Sequence, residues 1–279
     1  MTILQITVLA LIQGLTEFLP VSSSAHLILP SQLLNWPDQG LAFDVAVHLG
    51  TLLAVVVYYL SDLVKITVFT VNSVIERRMT PVARIGWCLI IATIPAAVCG
   101  FFFEKYVSST LRSVEVIAWA TIGFGLLLGV SSYVNRHLVW RNINNIEGQR
   151  SDSLRRITVS QALLIGCAQA LALIPGTSRS GITLTAGLFS GMRPEAAARF
   201  SFLLSIPIIA ASGCLEGYKL WEDPAQAWSQ WPDLLIGAVI SFAVAIAVIH
   251  WFMKYISKSG MTVFVLYRLI LGTSLLILF

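Results

Sequence analysis

Runs of about 20 residues without strong polarity recur along the whole chain, and a run of that kind is what a helix needs to cross a bilayer. Ile85 to Phe103, Val116 to Asn135 and Leu234 to Met253 reach that length, and shorter runs lie near Val45 to Ser61, Phe200 to Leu215 and Met261 to Phe279. They predict six spans, the shorter ones helped by snorkelling ends. Only 11% of the 279 residues are charged and 57% are hydrophobic, whereas a soluble domain carries roughly 25% charged residues. No hydrophilic block is long enough for a separate domain. The expected fold is an all-α polytopic membrane protein, a single membrane domain over residues 1–279.

Two further apolar stretches, Met1 to Leu34 and Ile157 to Met192, are interrupted by Pro, Gly and Ser. A simple spanning helix tolerates such residues poorly, so both read as broken, re-entrant helix pairs. Met1 to Thr16 has no charge, so the basic start of a cleavable leader is missing and the N-terminus is expected to be retained. Cys88, Cys99, Cys167 and Cys214 lie in apolar stretches without CxxC spacing, and read as packing residues. The net charge of +4 does not indicate nucleic acid, because the basic residues are scattered without an aromatic-interleaved patch.

Those basic residues report sidedness instead. Residues 61–84 carry Lys65, Arg77, Arg78 and Arg84, and residues 135–156 carry Arg136, Arg141, Arg150, Arg155 and Arg156. With Lys254 and Lys258 one side holds eleven, against Lys105, Arg112 and Lys219 on the other. The bias puts the basic loops in the cytoplasm. Alternation then has the first broken segment open outward and the second from the cytoplasm, so the halves 1–134 and 157–279, joined by the basic loop 135–156, form an inverted-topology repeat. Gln13 to Ser23 is echoed by Gln169 to Ser178, one residue shorter.

The interruptions carry the chemistry. Glu17, Ser22, Ser23, Ser24 and His26 are held between apolar residues, and a charge at such depth costs about 2.5–3.5 kcal/mol on insertion scales unless partnered. The serines also suit the cap of a helix restarting after Pro20. In Pro175-Gly-Thr-Ser-Arg-Ser-Gly181 the glycines, hydroxyls and Arg179 precede a new helix, a composition that suits a phosphate anion. Pairing of Arg179 with Glu17 alone is the plainer reading. If the two tips meet, anion recognition sits beside a nucleophile and a base. No Walker loop is present, which argues against an ATP-driven enzyme. His48 and His250 read as packing or interfacial residues, with His48 also able to line the cavity; Arg199 and Arg268 read as snorkelling or lipid-binding groups. Trp119, Trp140, Trp221, Trp228 and Trp231 suit interfacial belts.

QGLTEFLPVSSSAH at 13–26 and PGTSRSG at 175–181 resemble the two motifs of bacterial undecaprenyl-diphosphate phosphatases, and the resemblance covers essentially the whole chain. It implies hydrolysis of undecaprenyl diphosphate to the monophosphate and inorganic phosphate in the bacterial inner membrane, recycling the lipid carrier of cell-wall synthesis and conferring bacitracin resistance. It maps site roles onto Glu17, Ser23, His26 and Arg179. Many members carry Glu where this chain has Gln13, which weakens a two-carboxylate metal site here; Mg²⁺ or Ca²⁺ bridging Glu17 and the phosphates stays open.

The expected scheme has Ser23 attacking the terminal phosphorus, His26 as base and Glu17 orienting it. Arg179, Ser178, Ser180, Gly176, Ser22, Ser24 and Gln13 are the expected substrate-binding residues. Water or His26 as nucleophile is an open variant. Expected partners are the polyprenyl diphosphate lipid and membrane lipids, with room for a homodimer, and the site opens to the extracytoplasmic side. The rival reading is a polyprenyl-phosphate flippase or transporter of the same architecture.

Overall fold

The computed structural model describes residues 1–34, 36–111, 113–139, 153–222 and 231–279. The whole stretch 140–152, with Trp140, Arg141 and Arg150, lies outside them, as do Arg112 and Trp228. Among the described residues only helices and turns occur. In chain order they are α1 (Ile3–Thr16), α2 (Ser23–Leu34), α3 (Gly40–Tyr58), α4 (Leu60–Ile75), α5 (Pro81–Thr110), α6 (Val114–Val134), α7 (Val159–Ala170), α8 (Arg179–Phe189), α9 (Pro194–Glu222), α10 (Trp231–Ser259) and α11 (Thr262–Leu278).

Five of these, α3, α5, α6, α9 and α10, are long and apolar enough to cross a membrane. The sixth expected span, α11, is a helix of 17 residues lying along α6. Outward-facing side chains such as Phe101, Phe102, Ile270 and Ile277 are apolar and exposed, as they must be where the surrounding solvent is hydrocarbon. Residues 61–75 differ from the expected loop: they form α4, which lies against α5. Trp87 donates to the Ser73 hydroxyl at 3.0 Å, and Ile66 is the residue α4 buries. The stretch was too short and too charged, with Asp62 and Lys65, to read as a span, and its apolar periodicity is that of a surface-lying helix.

Both expected breaks are present. α1 starts with a capping box between Thr2 and Gln5 and ends at Thr16, before Pro20, which lacks an N–H and disfavours a helical residue ahead of it. α7 starts with the same device, Thr158 with Gln161. It runs out through a short 3₁₀ turn to Ile174, which is extended (φ −73°, ψ 116°) before Pro175. The chain restarts each time after a left-handed serine, Ser22 (φ 75°) before α2 and Ser178 (φ 68°) before α8.

These short helices are clamped from behind by long ones. α1 lies on α10 and α7 lies on α5, while α6 pairs with α11 and α3 with α10 and α9. Close approach is what holds helices together where lipid removes the hydrophobic drive. A Cβ on Gly14 would sit 2.8 Å from Cβ of Val244 on α10, and one on Gly166 would sit 2.7 Å from Cα of Ala92 on α5. Between the two clamps the largest core cluster gathers Phe18, Phe202, Phe252 and Phe264, with Phe18 edge-on to Phe202 at 5.3 Å.

The strongest tie is polar. Arg268 of α11 is fully buried (0%), so it neither snorkels nor meets a lipid head group. Its Nε donates to Thr121 O at 3.0 Å. One terminal nitrogen donates to Pro20 O at 3.4 Å and to Thr177 O at 2.9 Å. The other donates to Ala120 O at 3.4 Å and to Gly176 O at 2.9 Å. A guanidinium has five N–H groups, and all five are used on carbonyls of α6 and of the two breaks. Arg199 is likewise tied within the fold, donating to Asp62 of α4 at 2.8 Å. Arg268→Lys, with three donors, leaves carbonyls unmatched at a cost of about 1–3 kcal/mol each; the thermal midpoint of the detergent-solubilised protein should fall by several degrees or more. Gly166→Val should lower it too, through overpacking of about 1–3 kcal/mol.

Candidate active site

α1 delivers Glu17 at its C-terminal end, and α2 and α8 begin at Ser23 and Arg179, so two helix N-termini and one carboxylate meet. Glu17 is the hub. Its Oε1 accepts from Arg179 at 2.9 Å; its Oε2 accepts from the Ser23 hydroxyl at 3.0 Å and from the Gln13 side-chain amide at 2.9 Å. Nε2 of His48 stands 3.7 Å from the same Oε2. The carboxylate is 8% exposed, a burial that only this ring of donors makes affordable.

Gln13 thus has a definite part. A glutamate there would face Glu17 with like charge and need a shared proton or a cation, whereas the amide donates. Its other atom, Oε1, is buried without a partner.

The segments joining the helices match each other atom for atom at one point: the hydroxyls of Ser22 and Ser24 are 3.2 Å apart, and so are those of Ser178 and Ser180. Ser178 caps α8 by accepting from the Gly181 N–H at 3.1 Å. Glu17 and Arg179 line a cavity of about 210 Å³ together with Ser22, Ser23, Ser24 and Ser178. His48 from α3, Ala172 from the 3₁₀ turn after α7, and Ile208, Ile209 and Ser212 from α9 complete the wall. The cavity holds hydroxyls, backbone N–H groups at two helix starts and a guanidinium, the donor set an anionic phosphoryl group requires.

Four expected site residues sit elsewhere. Gly176 (φ 92°) lies against Ile117 of α6, and its carbonyl is taken by Arg268. Ser180 donates to Leu19 O at 2.8 Å, tying one break to the other. Gln13 lies beneath Glu17. His26 is buried with both ring nitrogens engaged, Nδ1 with Ser22 O and Nε2 with the Tyr267 hydroxyl, each at 2.6 Å. It does not touch Ser23 or Glu17, because Ala25 and Ser24 turn α2 so that position 26 faces α11. The Ser23 proton therefore has Glu17, not His26, as its immediate acceptor.

The parts that sequence reasoning missed are Arg268, Tyr267 and Ser212, and it left His48 between packing and lining. An arginine inside an apolar run is itself a signal, since a buried charge there needs partners; what those partners are is set by residues 20, 120, 121, 176 and 177, far away in sequence. Among the described residues no group of three His, Cys, Asp or Glu side chains is placed to hold a metal ion.

Comparison with known proteins agrees along the whole chain. The family model of bacitracin resistance protein BacA matches residues 6–274. The undecaprenyl-diphosphatase of Hahella chejuensis is 49% identical over 277 residues, covering 99% of this chain and 98% of the relative. That of Teredinibacter turnerae is 50% identical over 277 residues, with 99% of each chain covered. That of Alcanivorax borkumensis is 52% identical over 272 residues, covering 98% and 97%. With five helices of membrane-spanning length and this match from end to end, the chain is a multi-pass membrane protein that belongs to the bacitracin resistance protein BacA family.

Proposed function

We propose that the chain hydrolyses undecaprenyl diphosphate to undecaprenyl phosphate and inorganic phosphate, and that the hydrolysis takes place in the cavity around Glu17. The observation that carries the reading is the Ser23 hydroxyl donating to Glu17, itself ion-paired with Arg179, at the start of two helices. A carrier of lipid head groups needs anion binding but no such activated hydroxyl.

In the scheme this supports, the terminal phosphate sits against Arg179 and the helix starts at Ser23 and Arg179, displacing part of the Arg179–Glu17 pairing. Ser23 Oγ attacks the terminal phosphorus and its proton passes to Glu17 Oε2. The bond to the bridging oxygen breaks with its electron pair on the lipid phosphate, which leaves. Positive charge on the equatorial oxygens is the main catalytic aid in such transfers. His26 holds Ser22 and so the start of α2 in place; its part in this scheme is to position Ser23.

A divalent cation held by the protein alone does not fit: Glu17 is the one carboxylate on the cavity wall, and both its oxygens already accept hydrogen bonds. Mg²⁺ and Ca²⁺ want six or more oxygens, so no step is assigned to either.

The architecture belongs to the same proposal: α3, α5, α6, α9, α10 and α11 as six spans, α1–α2 and α7–α8 as re-entrant pairs, and halves related by inversion. Supporting it, α1 lies on α10 as α7 lies on α5, the two pairs share a capping box at the start, and each restarts after a left-handed serine. The basic loops then face the cytoplasm and the cavity opens outward in the inner membrane. Bacitracin resistance follows if the enzyme depletes the diphosphate lipid that the antibiotic sequesters.

The purified protein in detergent, where there are no two sides, should release phosphate from undecaprenyl diphosphate; binding without release would favour the flippase reading. Ser23→Ala should lower turnover by about 10³-fold or more while lipid binding persists, and near-normal turnover would sink the serine scheme. Arg179→Lys keeps the charge but loses the fork, and kcat/KM should fall by about 10- to 100-fold with an unchanged thermal midpoint.

A further inference from the structure

His48 is the ionisable side chain on the cavity wall that the scheme above leaves without a role. Its Nδ1 lies 2.7 Å from the carbonyl of Asp44, one turn earlier on α3. A carbonyl only accepts, so Nδ1 keeps its proton and Nε2 is the nitrogen turned to the cavity. There it faces Glu17 Oε2 at 3.7 Å, the oxygen that also accepts from Ser23 at 3.0 Å. A gap of 3.7 Å is too long for a hydrogen bond and leaves Nε2 free to meet a small molecule beside Ser23. The His48 side chain is 36% exposed, against 6% for that of Glu17. His26, by contrast, has both nitrogens engaged and is absent from the wall.

The groups around His48 narrow its function. Glu17 and Arg179 are the charged groups on the cavity wall, and α9 adds Ile208, Ile209 and Ser212. α10 brings Gly237 and Ser241 against this part of α3. Arg179 cannot accept a proton, and Glu17 is already occupied by the proton of Ser23 once the phosphoryl group has been transferred. A second acceptor is needed for the water that completes the reaction, and His48 is the remaining wall residue able to serve.

We propose that His48 is a further catalytic residue, the base for hydrolysis of the phosphorylated Ser23. The inference rests on the phosphatase reading and on serine as nucleophile. Water oxygen forms a bond to phosphorus as one of its protons passes to His48 Nε2. The bond between phosphorus and Ser23 Oγ breaks with its electron pair on Oγ, which takes back the proton held by Glu17. Inorganic phosphate leaves, and the imidazolium gives its extra proton to bulk water.

The test uses the full chain in detergent with undecaprenyl diphosphate labelled in its terminal phosphate. His48→Gln keeps a polar side chain of similar reach; kcat should fall by about 100-fold with KM falling alongside it so that kcat/KM is little changed, and labelled phosphate should accumulate covalently on the protein because only the second step is slowed. His48→Ala should regain turnover, about tenfold or more, when imidazole is added. A misfolded variant would gain nothing from imidazole, so such recovery separates lost chemistry from lost structure. Turnover within about twofold of wild type in both variants, a change confined to KM, or a folded His48→Ala protein unmoved by imidazole would each overturn the proposal. If the wild-type chain itself releases no phosphate, the phosphatase reading has failed; if it does and the variants match it, only the role of His48 has.

Discussion

Breaking a helix inside a packed core strands carbonyl groups away from water, and in this protein one guanidinium meets that demand. Arg268 uses its five donors on Thr121, Ala120, Pro20, Gly176 and Thr177. Two of those carbonyls belong to α6 and three to the two breaks, so a single side chain fixes how far apart the tips stand. In hydrocarbon each unmatched backbone group costs several kcal/mol, and this makes the arrangement close to all-or-none. No carboxylate shares the site, which leaves the positive charge of Arg268 spread over carbonyl dipoles directly behind the start of α8. The second tie, Ser180 to Leu19 O, runs between the same two segments.

With the tips held, the chemistry depends on the balance of charge around Glu17. The buried carboxylate accepts from Arg179, Ser23 and the Gln13 amide with no second acid beside it, and a carboxylate in contact with a hydroxyl is placed to take its proton. In the proposed scheme the cationic Arg179 has a double use, pairing with Glu17 in the resting site and with the phosphate of the substrate. The same scheme frees Glu17 Oε1 as the anion binds, coupling substrate binding to base activation through one side chain. Helix N-termini at Ser23 and Arg179 add a fixed partial positive charge from both sides.

Much of this was legible in the sequence, and the limits have physical causes. The two breaks, the long apolar helices and the juxtaposition of Glu17, Ser23 and Arg179 follow from local composition, because Pro, Gly and charge in an apolar run have few interpretations. Helix α4 was missed because a surface-lying amphipathic helix carries charges and falls short of a span. Nearness to Ser23 along the chain points to a role for His26, but its ring is held by Ser22 O and the Tyr267 hydroxyl, partners that nearness does not reveal. Gly176 was read as an open backbone for the anion, yet its left-handed conformation serves a close approach to Ile117. Arg268 could be flagged as costly from sequence, while its partners lie some 90 to 250 positions away and no local pattern names them.

The two broken segments are alike in local build, yet they contribute different groups to the cavity. Each half supplies a capped short helix, a break, a left-handed serine and a second short helix, but only the first places a carboxylate at the break. At the matching place in the second half the glutamine, Gln169, is buried with no partner for its amide, as Gln13 would be without Glu17. The second half contributes the cation instead. Two identical segments would bring together two carboxylates or two guanidiniums; the difference between positions 17 and 179 instead sets an acceptor against a donor, the pair seen between Glu17 and Arg179.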